Sequence, residues 1–277
     1  MGEPVSPLLV RRIGFIAGLF FISVLTFAGW RLLRVALRQD AVYTGLLLLL
    51  LVLALALFNA RKKLPFLPLT KAATWLEIHI YAGWFSVFVF LLHVRFHMPS
   101  GAMEMILALI FCVVVLSGIF GLYISRDLPP RMASSGEALL YECVPAFRLR
   151  IQQNVEDLVR KAESETKSST LGDFYVQHLC HFFMRTPRAI SALAGADRGL
   201  HVLLAEMNAL DRYLSEQEKA FANEIRDWIE TKQNLDFQYA AQRLLKLWLF
   251  VHIPFTYSLI LLGIAHGIIA TLHVGRF

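Results

Sequence analysis

An all-α integral membrane bundle of about five transmembrane helices, with a helical extramembrane insert, is the fold class that three observations predict. Of the 277 residues, 57% are hydrophobic and only 17% are charged, against about 25% charged in an ordinary soluble domain. Five apolar stretches are each long enough to cross about 30 Å of hydrocarbon, which takes roughly 20 helical residues. Alternating strand-like runs are absent, and the one sizeable polar region repeats its apolar residues every three or four positions.

The first span covers about 13 to 30, inside "VRRIGFIAGLFFISVLTFAGWRLLR". Arg11 and Arg12 precede it as they would in a secretory signal, but Arg31, Arg34 and Arg38 follow it. Positive charge just beyond the apolar run disfavours export, so the segment reads as an uncleaved anchor. Three further spans are expected at about 41 to 59, 74 to 95 and 103 to 124, and residues 1–125 form the first membrane region. The stretch "SRDLPPRM" then reads as a helix breaker and opens the insert, residues 126–244. Within the insert, a helix over "GEALLYECVPAFRLRIQQNVEDLVRKAE" is broken or kinked near its start by Pro145, a second covers "LGDFYVQHLCHFFMR", and a third begins near Gly199. The last, from "EQEKAFANEIRDW" onward, meets no strong breaker before the fifth span at about 246 to 272, so a continuous stalk into residues 245–277 is expected.

Lys and Arg number 27 against 21 Asp and Glu, and the excess of +6 gathers at the ends of the apolar runs. That placement suits topology and lipid headgroups and gives nucleic-acid binding no support. Cys112, Cys143 and Cys180 are scattered without a CxxC or CxxCH, which leaves a disulfide framework, a zinc finger and covalent haem attachment unsupported. An inside N-terminus places Arg11, Arg12, Arg61, Lys62, Lys63, Lys71, Arg126, Arg131, Arg243 and Lys246 in the cytoplasm, against Arg31, Arg34, Arg38, Arg95 and Arg276 outside. The insert is therefore expected in the cytoplasm of a bacterial-type inner membrane, although the first loop runs against the rule.

Four histidines stand inside apolar spans, His79 and His93 in the third, His252 and His266 in the fifth. Each pair is 14 residues apart. At about 100° per residue such a step returns to within about 40° of its starting direction and rises about 21 Å, so each pair shares one helix face, one imidazole towards each leaflet. Two crossings separate the two spans, which therefore run parallel. His79 then faces His252 at one depth, and His93 faces His266 at the other. Gly83 and Ser86 follow His79 on its face, and Thr256, Leu259 and Gly263 follow His252. Small side chains there leave room for a flat macrocycle. Imidazole is a common axial ligand of haem iron. A tetrahedral zinc site is less natural, because each level offers two histidines and no acidic or cysteine partner. Packing or proton-relay roles are the ordinary alternatives for a membrane histidine.

Two His-x13-His pairs on parallel helices resemble the four-helix diheme core of cytochrome b from bc complexes, and the same spacing recurs in the ferric reductase and NADPH oxidase family. The resemblance covers about 41 to 124 and 246 to 272 and rests on the histidines. It implies two b haems, one held by His79 and His252 and the other by His93 and His266, with electrons moving across the membrane. The chain departs from the reductases in lacking a dinucleotide fingerprint, since "GADRG" at 195 to 199 is none, and from the bc family in lacking a "PEW"-type motif. Electrons would then enter from a quinol, a partner subunit of a hetero-oligomeric oxidoreductase, or a soluble carrier.

Weaker signals surround this core. Arg95 is a candidate partner for a haem propionate, or an interfacial anchor, as is Arg276. Arg61, Lys62, Lys63, Lys71, Arg243 and Lys246 offer the same at the other leaflet. His97 and His273 suit a third haem less well than a quinone or proton-transfer role. His178 and His181 flank Cys180 at metal-binding spacing but lack further ligands. The expected activity is b-type electron transfer between the quinone pool and a redox partner subunit. The rivals are a histidine-lined proton or metal transporter and a non-catalytic assembly subunit.

Overall fold

The computed structural model describes residues 7–36, 39–60, 72–135, 140–186, 189–194 and 198–274. Among these the chain is helical without a strand: α1 Pro7–Ala36, α2 Asp40–Ala60, α3 Ala72–His93, α4 Ala102–Ser134, α5 Val144–Thr166, α6 Thr170–Phe174, α7 Cys180–Met184, α8 Ala189–Ala194, α9 Arg198–Leu210 and α10 Glu216–Val274. Five helices, α1 to α4 and α10, are long and apolar enough to cross a membrane. The protein is thus an all-α, multi-pass membrane bundle. Arg38, Arg61, Lys62, Lys63, Lys71, Arg276 and most of "GADRG" lie outside the described residues.

The chain divides into two compact units, Met1–Phe120 with Phe250–Phe277, and Gly121–Leu249. In the first, one apolar layer draws on four helices: Leu48 and Val52 of α2, Val87 and Phe90 of α3, Phe111 and Val114 of α4, Leu259 and Ile260 of α10. The Phe90 and Phe111 rings stack at 4.4 Å in its middle. Helix α1 joins from the side, through stacking of Phe15 on Tyr81 at 5.2 Å and an Arg11–Glu77 ion pair at 2.8 Å.

The second unit has a much larger buried core, including Val144, Val155, Leu179, Phe183, Met207, Ile225 and Ile229. Pro145 sits in the first turn of α5, where its missing N–H costs nothing, after a short 3₁₀ turn at Tyr141–Cys143. The expected second helix is split by a π turn at Tyr175–Leu179, between α6 and α7, and α8 had no counterpart in the expected elements. Helix α10 opens with a reciprocal cap, Ser215 N–H donating to Glu218 at 2.8 Å and Glu218 N–H to the Ser215 hydroxyl at 3.3 Å. It then continues unbroken for 59 residues, the stalk that the absence of breakers predicts.

The breaker "SRDLPPRM" is a correction. Helix α4 runs through Pro129 and Pro130 to Ser134, although an interior proline costs about 3 kcal/mol. Tertiary contacts outweigh that cost. Ile124 and Leu128 are buried against Ala241, and Arg131 pairs with Asp127 at 2.9 Å, donates to the Leu193 carbonyl at 2.6 Å and lies over the Phe237 ring. Gly121 allows the approach on which this depends, because a Cβ there would lie 2.0 Å from the Trp248 ring.

Candidate functional site

The four histidines of α3 and α10 meet in the pairs that their spacing predicts. His93 and His266 face each other with ring centres 6.4 Å apart and planes at 86°. His79 lies within electrostatic range of His252, and its imidazole engages the Leu55 carbonyl of α2. Helices α3 and α10 accordingly run parallel, and the 14-residue spacing puts about 21 Å of helix rise between the levels.

Hydrogen bonds fix which nitrogen of two rings carries the proton. His93 Nδ1 lies 3.0 Å from the Ala41 carbonyl, which can only accept. It also lies 3.3 Å from the Thr44 hydroxyl, whose own proton goes to the Asp40 carbonyl at 2.8 Å. Nδ1 is therefore the donor, and the lone pair of the neutral ring sits on Nε2. His252 repeats the arrangement: its Nδ1 is 2.8 Å from the Ser117 hydroxyl, which spends its proton on the Val114 carbonyl. A neutral imidazole that donates through Nδ1–H carries its lone pair on Nε2, the tautomer that a metal ligand needs.

Two glycines that the spacing argument did not single out make room for these rings. A Cβ on Gly45 of α2 would lie 2.8 Å from His93 Cε1, and one on Gly118 of α4 would lie 3.6 Å from His252 Cε1. Of the anticipated glycines, Gly83 faces open space, with nothing within 4 Å of where a Cβ would stand, and Gly263 packs on Leu49 at 3.5 Å. Ser86 is buried and turns its hydroxyl back to the Gly83 carbonyl. The signal that could have found Gly45 and Gly118 is their place on α2 and α4, the helices between which the ligand pairs lie. It needs the helix rotations, which the sequence does not carry.

The residue types and spacing suit an iron macrocycle held from both sides. At about 2 Å per metal–nitrogen bond and about 1.1 Å from ring nitrogen to ring centre, two imidazoles that shared a metal ion between them would have their centres about 6.3 Å apart. The His93–His266 separation of 6.4 Å matches this span. Among the described residues no group of three or more His, Cys, Asp or Glu is placed to hold a metal ion, and sites with two protein ligands each do not require one.

Several of the surrounding charged and polar groups have partners within the chain. Arg95 forms a two-bond ion pair with buried Asp40, the first residue of α2, its Nε donating to Oδ2 at 3.1 Å and its Nη2 to Oδ1. His97 Nδ1 donates to the Arg95 carbonyl at 2.6 Å and closes the turn after α3. The side chain of His273 lies outside the described residues. In the second unit, His178 pairs with Glu206 at 2.9 Å and stacks on Phe174, and Cys143 is free and exposed, as is Cys112 in the first unit. No family model, curated protein or solved structure matches the chain.

Proposed function

We propose that the protein is a membrane diheme cytochrome b that carries electrons between the two faces of a membrane, with His79 and His252 holding one haem and His93 and His266 the other. The observation that carries this reading is the His93–His266 pair. Its rings are spaced at 6.4 Å, and the Nδ1–H of His93 is committed to the Ala41 carbonyl. The haems supply one-electron redox chemistry when bound, and their potentials are set by the ligands and what surrounds them. The protein's part is to hold His93 and His252 in the right tautomer, His93 through Ala41 and Thr44 and His252 through Ser117. Glycines at 45 and 118 admit the rings, and the layer of Phe90, Phe111, Val52 and Leu259 keeps water from the middle of the bundle.

Electrons would come from the quinone pool and leave to a partner subunit, or the reverse, in a hetero-oligomeric complex of the bacterial inner membrane. The bias of Lys and Arg favours a cytoplasmic polar unit, where it would be suited to dock that partner. Reduced-minus-oxidised absorption spectra and the haem content of the purified protein test the reading. Two b haems per chain are expected. A fully loaded preparation without b-type bands would instead favour the histidine-relay transporter.

A further inference from the structure

The two histidine levels do not have the same charged surroundings. Beside His93 the start of α2 is tied to the turn after α3 by the Asp40–Arg95 pair, which spans 55 residues of sequence. The Asp40 side chain is only 4% exposed, so its carboxylate has given up water for the Arg95 fork. Asp40 also supplies the carbonyl that takes the Thr44 hydroxyl proton, and the next residue supplies the carbonyl that takes the His93 proton. On the other side of the pair, Arg95 and Phe96 both adopt left-handed backbone, with φ 54 and 58. Neither residue is a glycine, and such a conformation persists only where surrounding contacts hold it. The contacts are present: Phe96 N–H reaches back to the Leu91 carbonyl at 3.0 Å, and Arg95 N–H to the Leu92 carbonyl at 3.1 Å.

Resting on the diheme reading, we infer that Asp40 and Arg95 are positioning residues for the haem held by His93 and His266. Their ion pair clamps the Ala41 carbonyl against His93 Nδ1 and sets the reduction potential of that haem and not of its neighbour. The chemistry is that of an outer-shell partner. A firm Nδ1–H···O=C bond makes the imidazole a stronger electron donor to iron and favours the oxidised state. The buried carboxylate adds negative charge on the same side of the balance. Removing it leaves the Arg95 cation unbalanced and loosens the carbonyl, and both changes favour the reduced state. At the other level Glu77 pairs with Arg11 of α1 at 2.8 Å, and His252 Nδ1 lies 2.8 Å from the uncharged Ser117 hydroxyl.

The test is an optical redox titration of the purified, haem-loaded wild-type protein and of D40N. The expected result is an upward shift of one of the two midpoint potentials, equivalent to about a tenfold change in its reduction equilibrium, or about 59 mV for one electron, with the other unchanged. If D40N does not retain both haems, R95K takes its place. It keeps the charge but loses the two-bond fork, and a smaller upward shift of the same single component is expected. A two-haem wild type whose titration is unaltered by D40N, or by R95K where that variant is used, overturns this inference and leaves the diheme reading standing. Equal shifts of both components overturn it too, since they mark a general change in the bundle. A wild type without b bands overturns both.

Discussion

The membrane unit and the Gly121–Leu249 unit share α4 and α10 yet expose opposite kinds of residue. In the second unit Val144, Val155, Met207 and Ile225 have no exposed surface, and the outer faces of its helices are largely polar. In the first, large apolar side chains point outward, Phe20 at 71%, Leu116 at 66% and Leu261 at 70% exposed, while Asp40, Thr44 and Ser86 are buried. Apolar patches on this scale mark a surface that is covered, and five spans of this length identify lipid as the cover. The difference teaches where polarity has meaning. In the polar unit a surface charge is unremarkable. In the membrane unit a buried polar group is retained against a cost, and Asp40 and Thr44 are two that lie beside His93.

The largest effect that would sharpen this contrast is loss of a whole site. His93→Ala and His266→Ala should each halve the b-haem content and remove the same component from the redox titration, while His79→Ala and His252→Ala remove the other. Circular dichroism of each variant should keep its helical signal, which checks that the bundle still assembles.

Next comes the core of the polar unit. Ile225→Ala should destabilise that unit by about 2–5 kcal/mol, seen as a lower denaturation midpoint, because a fully buried side chain leaves a cavity. A comparison at matched exposure follows. Leu261 and Val176 are 70% and 74% exposed, yet lysine at 261 should cost about 2.5–3.5 kcal/mol in membrane insertion. Lysine at 176 should change stability by about 0.5 kcal/mol or less. Equal costs at the two positions would break the comparison.

The smallest effect is expected with acid. The Glu156 carboxyl is held below the ordinary range by hydrogen bonds from Gln152 and Tyr175, and that of Glu218 by Ser168 and the Ser215 N–H. A carboxylate whose pKa is lower in the folded state binds fewer protons there than in the unfolded chain. Its stabilisation is present above about pH 4.5 and is lost as pH falls through the folded-state values. Denaturation midpoints of the polar unit should drop below pH 4.5 in the wild type and drop less in E156Q.

Much of this was legible in the chain itself. Apolar length alone located the five spans, and equal spacing of His79 to His93 and His252 to His266 predicted the pairing, because helix rise and the parity of membrane crossings require nothing more. What could not be read depended on partners distant in sequence. Pro129 and Pro130 signal an end to α4, and only the packing of Leu128 on Ala241 and the hold on Arg131 override it. Arg95 reads as a lone cation until α2 brings Asp40 to it. Gly45 is one more small residue in a leucine-rich helix until its neighbour proves to be His93.

The central claim, two haems each held by one histidine from α3 and one from α10, is tested most directly by haem content and redox titration of the purified wild type beside the four single histidine variants. The account predicts two b haems per chain and two one-electron components, with His93 and His266 variants losing one and His79 and His252 variants losing the other. A wild type that binds no haem, or variants whose losses group by helix, with His79 and His93 together, would contradict it.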